Sequence, residues 1–585
     1  MKKAKSIIGN AVQRMGIIIC IISVALMGMS FTPEKVLVLS GSGYEMSIEH
    51  YLPSGERVRV PNGCKREVVG FDSCMSAVRL WGSGWTTNTR HSEKRIKVGF
   101  KSSYFKRQEK MLFAVAPVLG LRQKRILVIH LKYPYGKSQI YMGGSTISVM
   151  ARFKHMGYEV DYLDLNFDPT PGDDIGSFHK AKNADIIAIS VTGAPYVPSL
   201  IDLTWELSHF GRGKQILLGG QVIERLDSAQ FESLFGSKMF GNVKQIVTDA
   251  DFAKALDCTV GELPNPYAIS FVPAWESIGN ERLKKYLSNE MTLVLSQGCH
   301  FQCAFCAASK AEREKFKMMD CFSTDLLFLT SKAKEFGLKE LQFYATSLDF
   351  FQNPKIVAGY LEEVGRIQSE TGIKIKIRCL CCASSFLHAA KVVGELRLKT
   401  LIQESGLWCI GFGVDGADAD VWKAQKKRQN NLNEIKDCLD LATRMNIRSE
   451  ILLVMGFPQD TLKTLAKCVI NSVRYVSHWP NIMLRPYLAK ELVPGNDGWK
   501  SGNPAVNTFI SDPKKFYNLD FCAIGSKSTH PSFMHRMWSN LSYLTIIGIF
   551  TPLGKCCTSP LLPQGDAGLY GRFAKFFNRI VPMDR

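Results

Sequence analysis

The sequence predicts an α/β protein in which an N-terminal doubly wound, Rossmann-like domain is followed by a partial (β/α)6 barrel. Short continuous apolar runs, such as R-I-L-V-I-H-L at 125–131, are typical of strands that are buried on both faces. Segments with helical periodicity separate these runs, and this alternation indicates parallel strands joined by helices. The 585 residues also exceed what one hydrophobic core usually organises, so several domains are expected.

Residues 1–123 are predicted to form a basic N-terminal extension, because this part carries more than half of the formal net charge of +20. A basic arm can bind nucleic acid or an anionic membrane, although most basic surfaces are only solvated. An apolar run at 15–32 follows four basic residues and is long enough to span a bilayer. Because positive residues stay inside, a single span would export everything downstream. The run is therefore expected to be a buried helix or a membrane-surface helix, unless the start codon or the topology is unusual.

Residues 124–270 contain four predicted strands, at 125–131, 159–165, 184–191 and 214–218. Ligands of doubly wound sheets bind outside the carboxyl ends of the strands. Glycines there let a large flat cofactor approach the backbone, and hydroxyls offer hydrogen bonds. The candidate binding residues at these ends are Gly143, Gly144, Ser190, Thr192, Gly219, Gly220 and Gln221.

Residues 285–490 repeat strand and helix patterns, which predicts a partial barrel with its functional groups at the strand carboxyl ends. Just after its first strand, Cys299, Cys303 and Cys306 have C-x3-C-x2-C spacing within S-Q-G-C-H-F-Q-C-A-F-C-A-A-S-K at 296–310. Soft thiolates favour zinc, copper(I) or an iron–sulfur cluster. Structural zinc requires a fourth ligand, whereas three cysteines on a [4Fe–4S] cluster leave one iron open.

This spacing, with the aromatic Phe305 before the last cysteine, resembles the signature of radical S-adenosylmethionine (SAM) enzymes. The resemblance implies that the open iron chelates SAM and that the reduced cluster cleaves it to a 5′-deoxyadenosyl radical. It also implies SAM contacts at Tyr344, Thr346, Arg378, Asp415 and Gly456, which follow or lie on barrel strands. Each has a structural alternative: Arg378 can pair with an internal carboxylate, and the segment at 456–458 can be only a turn.

The upstream domain resembles the cobalamin-binding domain of the cobalamin-dependent radical SAM subfamily, through G-Y-E-V at 157–160 and L-G-G-Q at 218–221. No D-x-H-x-x-G sequence occurs, so the histidine that replaces the lower base of cobalamin in methionine-synthase-like proteins is missing. Many members of the radical subfamily also lack it. A degenerate Rossmann-like domain that binds no cofactor is the alternative.

The function that the resemblance implies is methyl transfer to an unactivated carbon of a small-molecule or peptide substrate. Its cofactors would be a [4Fe–4S] cluster, SAM and cobalamin, with a reductant such as flavodoxin or ferredoxin, and no catalytic side chain is assigned. Other members of the subfamily catalyse cyclisation, ring contraction or oxidation. Residues 491–585 are predicted to cap the barrel and shape the substrate pocket.

Two other functions stay open. An RNA-modifying methylthiotransferase would suit the positive charge, but that family carries a second cysteine trio in its N-domain, and residues 125–280 contain only Cys258. We therefore do not expect a nucleic-acid partner. A non-catalytic, membrane-associated iron–sulfur protein is the other alternative.

The remaining cysteines are predicted to be thiols in a reducing compartment. The seventeen cysteines are an odd number without the regular spacing of a disulfide framework. Cys379, Cys381 and Cys382 cannot easily converge on one metal, because neighbouring residues of a strand point to opposite faces. An oxygen-sensitive cluster also requires a reducing environment, so we expect a cytoplasmic protein.

Overall fold

The computed structural model describes residues 36–42, 45–51, 57–60, 85–88, 97–100, 124–132, 143–193, 196–210, 214–236, 242–307, 314–489, 494–499, 504–511, 513 and 533–556. The chain divides into two compact units, Met1–Arg122 and Gln123–Arg585. The apolar run at 15–32, for which a buried or membrane-surface helix was expected, lies outside the described residues. Among the helices that are described, none has both the length and the apolar character needed to cross a membrane.

The described strands of the first unit are short and antiparallel. Three of them form one sheet in sequence order: β1 (Val36–Ser42), β2 (Glu45–Tyr51) and β3 (Arg57–Val60). The other two form a separate pair, β4 (Trp85–Asn88) and β5 (Lys97–Phe100).

The second unit begins with a parallel sheet of five strands in the order β10-β9-β8-β6-β7. The strands are β6 (Arg125–His130), β7 (Glu159–Asp164), β8 (Ile186–Ser190), β9 (Gln215–Gly219) and β10 (Val243–Gln245). The helices of this part are α1 (Gly144–His155), α2 (Ile175–Asn183), α3 (Val197–Phe210), α4 (Ser228–Phe235) and α5 (Asp249–Leu256). Because β7 lies on one side of β6 and β8 on the other, the strand order reverses at β6, and ligands of doubly wound sheets bind at such a reversal.

The central strand of this sheet is buried on both faces. Ile126 and Val128 belong to one hydrophobic core, whereas Leu127 and Ile129 belong to a second core on the other face. This explains the continuous apolar run at 125–131, since the central residues of the strand are covered on both faces.

A six-stranded parallel sheet in the order β11-β14-β15-β16-β17-β18 forms the barrel. The strands are β11 (Glu290–Leu293), β14 (Glu340–Ala345), β15 (Lys374–Cys381), β16 (Leu407–Gly413), β17 (Arg448–Met455) and β18 (Ile482–Leu488). A small antiparallel ribbon, β12 (Ser296–Gln297) with β13 (Lys315–Phe316), follows β11. The predicted combination of a doubly wound sheet and a partial six-stranded barrel is confirmed.

Helices join these strands and enclose the barrel. Two lead into it, α6 (Val272–Ser277) and α7 (Asn280–Leu287). Those between the strands are α8 (Met319–Glu335), α9 (Pro354–Thr371), α10 (Ala383–Val393), α11 (Glu395–Ser405), α12 (Ala419–Ala424), α13 (Leu432–Arg444) and α14 (Leu462–His478). After the barrel come α15 (Pro504–Ser511) and α16 (Phe533–Phe550).

The doubly wound sheet and the barrel share one hydrophobic core, which includes Ile126 of β6 and Phe343 of β14. Polar contacts add to it: the hydroxyls of Tyr162 and Tyr286 lie 2.8 Å apart, and Arg282 donates two hydrogen bonds of 2.6 Å to Asp168. The two sheets therefore pack against each other in a fixed orientation. The carboxyl end of β6 lies close to β11, the first strand of the barrel.

Candidate functional site

The three predicted cluster cysteines lie on the loop that follows the β11–β12 segment at the carboxyl end of the barrel. Cys303 is buried, whereas Cys299 and Cys306 are half-buried. The backbone N–H of Cys306 donates to the carbonyl of Cys303 at 3.1 Å, which closes a tight turn between them. Burial raises the pKa of Cys299 to about 11, and the nearby sulfurs of Cys303 and Cys306 contribute to the same shift. Cys303 and Cys306 therefore lie near the thiol of Cys299.

These cysteines do not form a ligand set for one metal ion. Within the part of the chain that the structure describes, no three His, Cys, Asp or Glu side chains surround a common ion position. An iron–sulfur cluster makes a different demand, because each cysteine binds a different iron and the sulfurs stay farther apart. Three soft donors suit a [4Fe–4S] cluster with one open iron, whereas structural zinc requires a fourth ligand.

A buried ion pair lies beside the cysteine loop. Lys427 bonds to Asp415, which follows β16 and has a left-handed φ of 41°. Burial lowers the pKa of Lys427, but the Asp415 carboxylate and the nearby thiols of Cys382 and Cys303 together raise it above its ordinary value. The Lys427 ammonium lies 5.7 Å from the ring centre of Phe305, which itself packs 5.3 Å from Phe457. Of the predicted SAM contacts, Asp415 is thus brought close to the cysteine loop.

A second polar group surrounds the carboxylate of Glu314. Ser296 donates to it at 2.9 Å, and Gln352 donates to its other oxygen at 2.9 Å. The Ser347 hydroxyl lies 2.8 Å from that of Ser296, and Gln352 also accepts from the backbone N–H of His300 at 3.2 Å. Burial is the main reason that the pKa of Glu314 rises to about 7. This carboxylate lies next to the cysteine loop, although sequence patterns did not identify it.

Arg378 lies lower in the barrel interior than the cysteine loop. Its Nε and Nη2 atoms donate to Glu290 at 3.0 and 2.7 Å, and its Nη1 lies 3.7 Å from Glu450. Glu450 in turn accepts from Arg485 at 3.0 Å. These four residues belong to β11, β15, β17 and β18, so only the closing of the barrel brings them together. Internal pairing, one of the two alternatives for Arg378, accounts for its contacts with described residues.

The other predicted SAM residues have separate surroundings. The Tyr344 ring lies 5.0 Å from the Arg378 guanidinium carbon. The Thr346 hydroxyl donates to the carbonyl of Leu293 at 3.3 Å. Gly456 adopts φ +81°, and its backbone N–H donates to Asp460 at 2.8 Å, so it forms a fixed turn after β17. Asn430 donates to the carbonyl of Val414 at 2.5 Å, and within the described residues its buried Oδ1 has no donor.

The predicted cobalamin residues follow the carboxyl ends of neighbouring strands in the doubly wound sheet. Ser190 ends β8 and pairs in register with Gly219, which ends β9. Gly220 adopts φ +93°, and a Cβ there would lie 2.7 Å from the carbonyl oxygen of Val191. At Gly219 the nearest atoms to such a Cβ would be 3.6 Å away. Thr192 is exposed, and Gln221 is half-buried.

The glycine pair at the start of α1 has a packing role as well. A Cβ at Gly144 would lie 2.9 Å from Val294 and 3.1 Å from Thr292, so this glycine allows α1 to approach β11 closely. A Cβ at Gly143 would lie 3.3 Å from the His130 ring. His130 ends β6, its Nδ1 lies 3.1 Å from the Thr146 hydroxyl, and burial lowers its pKa. Sequence patterns did not single out His130, although the final position of a central strand could have done so.

The strand-end surface fits a large polar-edged cofactor such as cobalamin. Its glycines leave backbone exposed to close approach, and its serine, threonine and glutamine side chains offer hydrogen bonds to amides. The buried hydroxyl of Ser145, at the first turn of α1, has no hydrogen-bond partner within the described residues. A buried polar atom of this kind is normally satisfied, so a ligand at this edge would supply what is lacking.

No protein-family model matches the chain, and no curated protein matches it either. Solved structures do resemble its fold. The radical SAM methyltransferase TsrM from Kitasatospora setae, with cobalamin and a [4Fe–4S] cluster bound, has TM-score 0.48 and 14% identity, and the match covers 64% of this chain and 77% of TsrM. TsrM with tryptophan and a SAM analogue has TM-score 0.48 and 13% identity, over 66% of this chain and 76% of TsrM.

A further similar structure is the cobalamin-dependent SAM radical enzyme OxsB, with aqua-cobalamin and SAM bound. It has TM-score 0.47 and 14% identity, and the match covers 84% of this chain and 66% of OxsB. TsrM and OxsB are enzymes of the class that the sequence resembles, with cobalamin bound in both. At these identities the likeness concerns the fold.

Proposed function

We propose that this protein is a cobalamin-dependent radical SAM enzyme that transfers a methyl group to an unactivated carbon of a small-molecule or peptide substrate. The observation that carries the proposal is the placement of Cys299, Cys303 and Cys306, three cysteines within eight residues, on one loop at the carboxyl end of a six-stranded barrel. The glycine-rich edge of the doubly wound sheet supports the cobalamin part. When bound, the reduced cluster supplies the electron that cleaves SAM, and cobalamin carries the methyl group.

The residues of this chain would bind and orient these groups. Cys299, Cys303 and Cys306 would each hold one iron. Glu314 would bind the ammonium group of SAM, because its carboxylate lies beside the cysteine loop and Ser296 and Gln352 fix its position. Asn430 has an unpaired buried acceptor that suits a donor of the bound nucleoside.

The remaining predicted contacts keep the same roles in the proposal. Tyr344, Thr346, Arg378, Asp415 and Gly456 would line the SAM site, and Phe305 would pack against it. Gly143, Gly144, Ser190, Thr192, Gly219, Gly220 and Gln221 would contact cobalamin. A low-potential reductant such as flavodoxin or ferredoxin and a reducing, cytoplasmic location follow from the cluster chemistry.

The first experiment is the iron and cobalt content and the ultraviolet–visible spectrum of protein purified anaerobically from cobalamin-supplied cells. We expect about four irons for a [4Fe–4S] cluster and one cobalt per chain. Cys303→Ala should lose the iron and all SAM cleavage, whereas Cys321→Ala, which changes a half-buried thiol on α8, should keep both. Iron that is equal in the Cys303 variant and the wild type would contradict the cluster assignment.

Cobalamin binding has its own matched pair of variants. Gly219→Val should lower the cobalt content and leave the cluster spectrum intact, since the protein itself has room for a Cβ at this position. Gly261→Val is the control, because a Cβ at Gly261 meets no atom within 4 Å. Iron without cobalt in the wild-type protein, or equal cobalt in the Gly219 variant, would contradict the cobalamin site.

A further inference from the structure

A six-residue segment, Q-K-K-R-Q-N at 425–430, lies directly against the cysteine loop. We call it the clamp segment. The backbone N–H of Ala304 donates to the carbonyl of Gln425 at 2.9 Å, and the Nε2 of Gln429 lies 3.3 Å from the sulfur of Cys303 as its donor. Lys427 reaches the same loop through its contact with the Phe305 ring. The clamp segment therefore touches the backbone, a sulfur and an aromatic ring of the cysteine loop.

The clamp segment is held in place from the barrel side. Its Asn430 donates to the carbonyls of Gly413 and Val414 at 3.2 and 2.5 Å, at the carboxyl end of β16. The backbone N–H of Lys427 donates to the carbonyl of Trp422 at 2.8 Å. Lys426 has a left-handed φ of 54° and forms an ion pair of 2.7 Å with Asp497. These contacts fix the direction from which Gln429 meets the sulfur.

A donor to a cluster sulfur has an electrostatic consequence. Reduction adds one electron to the cluster and its thiolates, and a hydrogen bond to a thiolate stabilises the more negative state. The Gln429 amide is neutral, so it provides this stabilisation without the cost of burying a charge. Second ligand shells of this kind orient the ligands and tune the potential of the metal they bind.

We propose that Gln429 is a positioning residue that orients the Cys303 thiolate and raises the reduction potential of the cluster. This inference depends on the proposed function, because it requires the [4Fe–4S] cluster. The step it concerns is a one-electron transfer from an external low-potential donor, such as a reduced flavodoxin or ferredoxin, to the oxidised cluster. No covalent bond of the protein forms or breaks in that step.

The test is a reductive titration of the cluster-loaded full chain, followed by the electron paramagnetic resonance signal of the reduced cluster. Gln429→Leu removes the donor at similar size, and Gln429→Glu replaces the amide by an anion of the same shape. Both variants should have a more negative midpoint potential than the wild type, and Gln429→Glu should be shifted further. Arg428→Met is the control: it removes an exposed charge from the same segment and leaves the contacts of Gln429 and Asn430 in place, so solvent screening should leave the potential unchanged.

The possible results separate this inference from the proposed function. A wild-type protein without iron would refute the proposed function. A wild-type protein with about four irons, and a Gln429→Leu variant with the same potential, would refute the inference alone. If Gln429→Leu takes up no iron, the titration of Gln429→Glu decides, and an unshifted potential there refutes the inference.

Discussion

Replacement of Arg378 by methionine tests how much the buried ionic network stabilises the barrel. Arg378 donates two hydrogen bonds to Glu290 and lies near Glu450, and its side chain is only 14% exposed. Removal of one partner from a buried charged pair typically costs about 3–5 kcal/mol, because the other charge is left without compensation. The side chain of Glu290 is 25% exposed, so water will solvate part of its charge. We therefore expect the lower end, about 3 kcal/mol.

The assay is thermal unfolding followed by circular dichroism at one fixed scan rate, because a chain of this size can unfold irreversibly. At about 2 °C per kcal/mol, the value for large domains, the midpoint should fall by about 6 °C. Adding Glu290→Gln to Arg378→Met should recover part of this loss, since the uncompensated carboxylate is then removed. Recovery in the double variant is the signature of an ionic pair.

Arg366→Met is the matched control. Arg366 also bonds two carboxylates, those of Glu363 and Glu370, but its side chain is 45% exposed. Such surface pairs contribute about 1 kcal/mol or less. An unchanged midpoint in Arg378→Met, or an equal loss in Arg366→Met, would refute the reasoning. Weaker SAM binding by a fully stable Arg378→Met protein would instead support the SAM contact proposed for this residue.

Three further predictions concern Gly220 and Glu314. Gly220→Ala should destabilise the protein by about 1–3 kcal/mol in thermal unfolding, because φ is +93° and the Cβ would meet the Val191 backbone at 2.7 Å; an equal effect of Gly219→Ala, which has room, would contradict this. Glu314→Gln should weaken SAM binding about 10- to 100-fold in equilibrium titration, as loss of a charged hydrogen bond does; unchanged affinity would exclude an ammonium contact. The pKa of Glu314, about 7 when folded and near 4.5 as the ordinary value, means that ionisation opposes folding, so stability falls as pH rises through this window. Relative to the wild type, Glu314→Gln should therefore raise the unfolding midpoint at pH 8 but not at pH 4. The gain in the free energy of unfolding should be only about 1 kcal/mol, because the side chain is partly solvated. A difference between variant and wild type that does not depend on pH would refute the assignment.

The strands and the cysteine loop were predictable because local patterns specify them. The run at 125–131 contains residues for two hydrophobic cores, so its unbroken apolar character already indicates a strand covered on both faces. The spacing of Cys299, Cys303 and Cys306 within eight residues limits their possible separation, whatever the rest of the chain does. The Gly219–Gly220 pair could be placed at a strand end for the same reason, since it directly follows an apolar run.

The environment of the loop was not predictable, because its contacts come from distant parts of the chain. Gln429 and Cys303 are separated by 126 positions, and Arg378 and Glu290 by 88. Arg378 illustrates the difficulty: the sequence places it on a strand, but its partners Glu290 and Glu450 lie on two other strands, which only the closed barrel brings near it. Glu314 was missed because only the β12–β13 ribbon brings it next to Ser296.

The sequence by itself determined the order of the two sheets, the position of the three cysteines after the first barrel strand, and the glycines at the strand ends. These features depend on hydrophobic periodicity and short-range spacing, which a single chain segment contains. The tertiary structure decided which polar groups surround the cysteines: Gln429 as a donor to Cys303, the Lys427–Asp415 pair, and Glu314 with its serine and glutamine partners. Such pairs depend on strand register and on the closing of the barrel, and no local pattern of residues specifies either.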